Sequence, residues 1–272
     1  MSSPGSVLRP VVAGASTGTE APAHVTVRGL SKTFGKAVVY DGFDLDIPRG
    51  ELMSIFGPNG CGKSTLINLI AGLIPADRGE ILFDGKPLRA IKFGYVFQNY
   101  REALFPWLRS IENIEYPLKL MQLGKAERRA RTERLVSHLG VKIDLRRYPY
   151  ELSGGQQQLV SIMRALVVDP EILFLDEPFS ALDYEMTLFM RDQLQRIFVE
   201  TGTTTVLVSH DLEEAVYLAD RILLLSRGPA EIADFVSYDA ARPRSDATLS
   251  EADFVRVKAH CLEVFQREVR KG

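Results

Sequence analysis

Three short stretches of this chain combine residue types that could handle phosphate. The first is residues 57–65, GPNGCGKST. Gly57, Gly60 and Gly62 let several backbone N–H groups turn toward one anion, and Lys63 adds a point charge for β- and γ-phosphates. The Ser64 hydroxyl falls where Mg²⁺ would sit between those phosphates, and Pro58, Asn59, Cys61 and Thr65 complete the cradle. The second stretch is 172–178, ILFLDEP, in which an apolar run ends in two carboxylates. Asp176 is placed to hold Mg²⁺ through its waters, and Glu177 to polarise a water attacking a γ-phosphate. The third is LSGGQ at 152–156, where Ser153 ahead of two glycines makes a natural helix cap and an anion-accepting helix start. Nothing in the sequence forces this start toward Lys63.

These groups need a scaffold, and the hydrophobic pattern supplies one. Leu52–Phe56 (LMSIF) reads as a buried strand before the phosphate loop, and 66–73 (LINLIAGL) as a helix after it, with Leu66, Ile67, Ile70 and Leu73 on one face. Strand, glycine-rich turn and helix in that order favour a phosphate cradle over a glycine turn with an incidental lysine. Upstream, 24–30 and 37–47 read as strands joined by a turn at 31–36. Phe34 lies in that turn, where it fits a packing cap or a stack on a base. Downstream, 80–83 is a short strand with Asp84-Gly85-Lys86 as hairpin turn, and 93–97 (FGYVF) is a buried strand ending at Gln98.

A charged helical pattern runs from 110 to 139, and helical character resumes at 155–168. Then 171–175 reads as an apolar strand, Tyr184–Thr201 as an amphipathic helix, and Thr204–Val208, Leu212–Leu218 and Arg221–Leu225 as strand, helix and strand. That alternation predicts a parallel sheet with crossover helices. His210 follows the run TTVLVS, a place that favours a site group over a structural histidine. His24, His138 and His260 read as structural, and Arg164 as half of an ion pair. A closing helix is expected at 251–269.

Bulk properties exclude several classes. The 272 residues are 46% hydrophobic and 25% charged, with a formal net charge of −2, so no polyanion-binding surface is indicated. No stretch approaches the apolar length that spans a bilayer, so any membrane role comes through a partner. Residues 1–23 are rich in Ser, Gly, Ala, Pro and Thr without an apolar centre and read as a disordered tail. Cys61 and Cys261 lack metal spacing and fit reduced thiols in a cytosolic compartment.

GPNGCGKST, Gln98, LSGGQ, ILFLDEP, Ser180-Ala181-Leu182-Asp183 and Val208-Ser209-His210 stand in an order that resembles the nucleotide-binding subunits of ATP-binding cassette (ABC) transporters, over about residues 25–232. The resemblance implies an α/β fold. It comprises a P-loop NTPase core with a mostly parallel sheet and crossover helices, an antiparallel β subdomain and a helical signature subdomain. The cassette would occupy 24–232 with its helical part at about 99–168, and a short helical extension would occupy 233–272. ATP and Mg²⁺ are the implied cofactors.

The implied assembly is a head-to-tail dimer, of identical subunits in the simplest form, with each ATP between one subunit's phosphate loop and the other's LSGGQ. Phe34 would then stack on adenine. Gln98 would touch Mg²⁺ and the attacking water and relay nucleotide state to the membrane partner. Ser153, Gly155 and Gln156 would close the trans face, Asp183 would sit at the dimer seam, and His210 would contact the γ-phosphate.

Phe105-Pro106-Trp107 followed by Glu112-Asn113 is similar to the ATPases of nitrate, sulfonate and taurine importers, as are 176–183 and 213–220. The loop 99–104 is longer than in their commonest members. Trp107 either plugs a local gap or joins Phe105 in shaping a groove for a permease helix. The 40 residues after 232 leave no room for the C-terminal β domain of sugar- and polyamine-type import ATPases, and 243–246 with 251–270 resembles the short helical tail of the nitrate group. The implied partners are a permease and, indirectly, an external solute-binding protein, with the chain peripheral on the cytoplasmic face of the inner membrane. A soluble ABC ATPase acting on nucleic acid or ribosomes fits less well, given one cassette, a short helical insertion and no basic excess. A P-loop kinase or GTPase-like switch leaves LSGGQ and His210 unexplained.

Overall fold

The computed structural model describes residues 22–180 and 182–271. The expected tail therefore lies outside the described residues up to position 21, as does Ala181. From position 23 the chain is already strand.

Two sheets organise the fold. The first is antiparallel, in the order β2-β1-β4, from β1 (Ala23–Phe34), β2 (Ala37–Pro48) and β4 (Arg78–Phe83). The expected turn at 31–36 is a two-residue turn at Gly35-Lys36, with Phe34 paired to Ala37 at its mouth. Register shifts between Val27 and Thr33 interrupt the period-2 pattern there, so the sequence reads as a loop where the chain is bulged strand. The Asp84-Gly85 hairpin forms as expected. Both residues have positive φ, and Phe83 N donates to Lys86 O at 2.7 Å.

The second sheet runs β5-β6-β7-β3-β8-β9, from β3 (Leu52–Phe56), β5 (Phe93–Val96), β6 (Ile172–Asp176), β7 (Thr204–Val208), β8 (Arg221–Leu225) and β9 (Ile232–Ser237). Its first five strands are parallel, and β9 pairs antiparallel with β8. Strand β9 corrects the reading of 233–272 as a short helical extension, since the segment opens with a strand. Ala233 and Asp234 blunt its β signal, which only pairing with the distant β8 makes good.

Alternate residues of the parallel strands feed the two faces of the sheet. Leu52, Leu173, Leu175, Leu207, Ile222 and Leu224 join one buried cluster, and Met53, Ile55, Phe174, Val206, Val208 and Leu223 the other. Helix α1 (Lys63–Ile70) and the antiparallel sheet cover the second face. Leu73 lies beyond the end of α1 and is exposed, so it does not extend the helix's apolar face.

Between β5 and β6 come α2 (Tyr100–Ala103), α3 (Ser110–Leu120), α4 (Lys125–His138) and α5 (Gly154–Leu166). The single helical pattern expected over 110–139 is two helices. Met121 caps the first, Gln122 takes φ 61°, and Gly124 starts the second. Helices α6 (Tyr184–Thr201), α7 (Leu212–Leu218) and α8 (Ala252–Arg270) complete the chain. No helix among the described residues is long and apolar enough to cross a membrane.

Candidate active site

Because β5, β6, β7 and β3 are neighbours and parallel, their C-terminal ends share one edge of the sheet. Gln98 follows β5, Glu177 follows β6, His210 follows β7, and the phosphate loop follows β3. Open α/β sheets bind ligands at this edge.

The loop's glycines have different reasons. Gly60 and Gly62 take φ 76° and 106°, a region that L side chains rarely adopt. Gly57 has no such φ, but a Cβ there would sit 2.8 Å from Leu225 O, so close packing excludes a side chain. At Gly62 a Cβ would also meet Val39 and Tyr40. Tyr40 donates to Gly62 O at 3.0 Å, tying the β1–β2 hairpin, and with it the half-exposed Phe34, to the loop. Lys63 is buried, and its Nζ donates to Gly57 O at 2.8 Å and Pro58 O at 3.1 Å. Cys61 is buried and free, and burial pushes its thiol above the ordinary range. Cys261 is also buried and free.

Ser64, in the first turn of α1, donates to Asp176 Oδ1 at 3.0 Å. On the other side of that carboxylate, Tyr95 OH donates to Asn68 Oδ1 at 2.7 Å and lies 3.4 Å from Asp176 Oδ2. Burial raises the Asp176 pKa, the Ser64 bond opposes the rise, and the Glu177 charge adds to it. The donor set is hard oxygen, suited to Mg²⁺, and the Lys63 charge favours the ionised Asp176 carboxylate. Among the described residues no group of three or more His, Cys, Asp or Glu side chains could hold a metal, so an ion here needs oxygens from another molecule. Phosphates beside Ser64 would provide them. The residues present fit the ion.

Glu177 is the junction of the site. Its Oε2 accepts from Gln98 Nε2 at 2.8 Å and lies 3.5 Å from His210 Nδ1. Its φ is 47°, which costs a non-glycine residue about 1–2 kcal/mol and aims the side chain off the strand line. The turn is held by Glu177 N donating to Val208 O at 2.9 Å and by Ser180 Oγ donating to Glu177 O at 3.1 Å. The His210 turn is braced in the same way. Ser209 Oγ donates to the half-buried Glu214 at 2.8 Å, and Asp211 caps α7. Burial raises the Glu214 pKa.

Ser153, Gly155 and Gln156 stand apart from this cluster. Ser153 caps α5 by accepting from Gln156 N at 3.4 Å, and Gln156 Oε1 accepts from Ser153 N at 3.1 Å. A Cβ on Gly155 would meet Met186 at 2.9 Å and Leu182 at 3.5 Å. None of these bonds reaches the phosphate loop. Asp183 caps α6, accepting from Met186 N at 2.8 Å.

Other expectations shift. Arg164 makes no ion pair among the described residues; it donates to Ala103 O at 2.7 Å with its guanidinium 5.7 Å from the Phe105 ring centre, and burial lowers its pKa. Trp107 is 71% exposed and plugs no gap, while Phe105 packs against both Trp107 and Tyr116. His24 is buried against Thr204, His138 pairs with Glu200, and His260 lies 2.7 Å from Asp234, all structural placements.

Sequence reasoning missed Tyr40, Asn68, Tyr95 and Gln158. A tyrosine inside an apolar strand needs a partner for its hydroxyl, so Tyr95 carried a usable signal. The three consecutive glutamines at 156–158 gave no sign of which one is buried.

Comparison with known proteins agrees with this geometry. The family profile for ABC transporters matches residues 40–180. The chain is 41% identical over 214 residues to the sn-glycerol-3-phosphate import ATP-binding protein UgpC 1 of Rhizobium johnstonii, a match covering 77% of this chain and 58% of that one. It therefore spans little more than half of that relative's length. It is 37% identical over 250 residues to the taurine import ATP-binding protein TauB of Escherichia coli O157:H7, covering 88% of this chain and 96% of that one. Among solved structures, a dimeric post-hydrolysis state of the ATP-binding cassette MJ0796 bound to ADP and Pi superposes with a TM-score of 0.71 at 31% identity, covering 80% of this chain and all of that one. With the sheet edge, the phosphate loop and the paired carboxylates in place, the chain belongs to the ABC transporter family and is an ATP-binding, ATP-hydrolysing cassette of that family.

Proposed function

We propose that the cassette drives import of a small solute, of the nitrate, sulfonate or taurine type, through a separate permease on the cytoplasmic face of the membrane. Two relatives carrying import names support the direction of transport. The nearly full-length match to TauB supports the solute class. The exposed Trp107, clustered with Phe105 and Tyr116, supports a docking face for a permease segment at the helical part.

The observation that carries the catalytic reading is the convergence of Gln98 and His210 on one oxygen of Glu177, beside the Ser64–Asp176 pair. The amides of residues 57–65 and the Lys63 ammonium bind the β- and γ-phosphates, and Phe34 packs on the adenine. Ser64 and Asp176, with Gln98 beside them, would hold Mg²⁺, which neutralises phosphate charge. Glu177 accepts hydrogen-bonding from the attacking water and polarises it. Gln98 orients that carboxylate and the water, and His210 holds the geometry toward the γ-phosphate.

Ser153 and Gln156 bond to each other at the start of α5 rather than to their own phosphate loop, and with Gly155 they complete the site of a second cassette. Asp183 sits at that seam. Closing and reopening of the pair then gates the permease.

Glu177→Gln tests the assignment. Steady-state hydrolysis falls by about 10²-fold or more while ATP binding is retained. Normal turnover in this variant would remove Glu177 from its role.

A further inference from the structure

Gln158 lies on α5, one turn after the LSGGQ helix start, and is buried. Its Nε2 donates to Pro178 O at 2.7 Å, while its Oε1 is buried with no hydrogen-bond partner among the described residues. Pro178 follows Glu177, the residue held at positive φ. The bond therefore runs from the signature helix to the backbone turn that aims Glu177.

A buried amide half left unpaired is costly, so the position is not explained by solubility or by polar satisfaction. The carbonyl it reaches belongs to a proline, whose fixed φ stiffens the peptide that follows Glu177. The bonds from Ser180 to Glu177 O tie the turn to itself, and the bond from Glu177 N to Val208 O ties it to β7. Among the described residues, only the Gln158 hydrogen bond ties it to α5.

We propose that Gln158 is a positioning residue: through Pro178 O it locks the Glu177 turn to the signature helix, so that the helix start offered to the partner's site and the general base of this protomer's own site move as one body. The proposal rests on the assignment of Glu177 above.

The test uses the full chain and three variants, Gln158→Met, Gln158→Glu and Glu177→Gln. Gln158→Met keeps the volume and removes the donor. Its kcat falls by about 10- to 100-fold with KM for ATP and the thermal midpoint little changed, because the base is misaimed while the phosphate loop is intact. Added to Glu177→Gln, the same change lowers the residual rate no further, since the group it positions is gone. Gln158→Glu can donate only as the protonated acid, so its rate relative to wild type rises as pH falls.

A kcat within two-fold of wild type in Gln158→Met, a loss fully additive with Glu177→Gln, or failure of both Gln158 variants to fold overturns the proposal, the last by showing a purely structural role. Should Gln158→Met alone fail to fold, the Gln158→Glu pH profile decides, and a flat ratio to wild type overturns it. Full turnover in Glu177→Gln alone would instead refute the general-base assignment, and is read independently of any Gln158 variant.

Discussion

The ammonium of Lys63 donates to two carbonyls of its own loop, so the loop is folded around the charge that meets the phosphates. Replacing Lys63 with Ala removes that charge without disturbing Glu177. ATP affinity in an equilibrium titration weakens about ten- to hundred-fold, the scale of a charge-assisted bond of roughly 1.5–3 kcal/mol. Unchanged affinity would contradict the cradle assignment. At this scale the sequence was informative wherever a motif is local. Residues 57–65, Asp176 and Glu177 announce their chemistry by neighbours a few positions away. Tyr40, Tyr95 and Gln158 act across 22, 81 and 20 positions, through contacts that only the fold creates.

Elements show the same division. The strands and helices from 184 to 225 match their sequence reading because each has a clean period and clear ends. The bulged end of β1 and the edge strand β9 escaped it because their pairing partners, not their own pattern, make them strands. His24 shows how the two sheets join, since its Nδ1 lies 2.6 Å from Thr204 Oγ1 of β7 and the same hydroxyl accepts from Gly50 N. Burial, with help from Arg49, lowers the His24 pKa below 6.5. The unfolded chain therefore takes up this proton first, so the stability contributed by neutral His24 is whole above pH 6.5 and is lost as pH falls below it toward the folded value. His24→Asn removes the titration, and its thermal midpoint changes less than that of wild type between about pH 7.5 and about pH 5.5. Equal slopes for the two proteins would contradict this account of the sheet junction.

At the scale of the whole molecule, the phosphate loop and the start of the signature helix share no hydrogen bond among the described residues, while further along the same helix Gln158 reaches the Glu177 turn. The loop edge is complete in its base, its histidine and its carboxylate pair. The side-chain hydrogen bonds of Ser153 and Gln156 among the described residues stay within the start of α5, and Gly155 lies against Met186 and Leu182. The order of motifs pointed to pairing through family resemblance, whereas the separation of the helix start from the phosphate loop is a matter of three-dimensional placement. A reaction that needs both halves needs two cassettes. The most direct measurement is the specific ATPase activity of the purified chain over a wide range of protein concentration. The account predicts that activity per cassette declines on dilution as pairs separate. Full activity per cassette from the isolated monomer would contradict it.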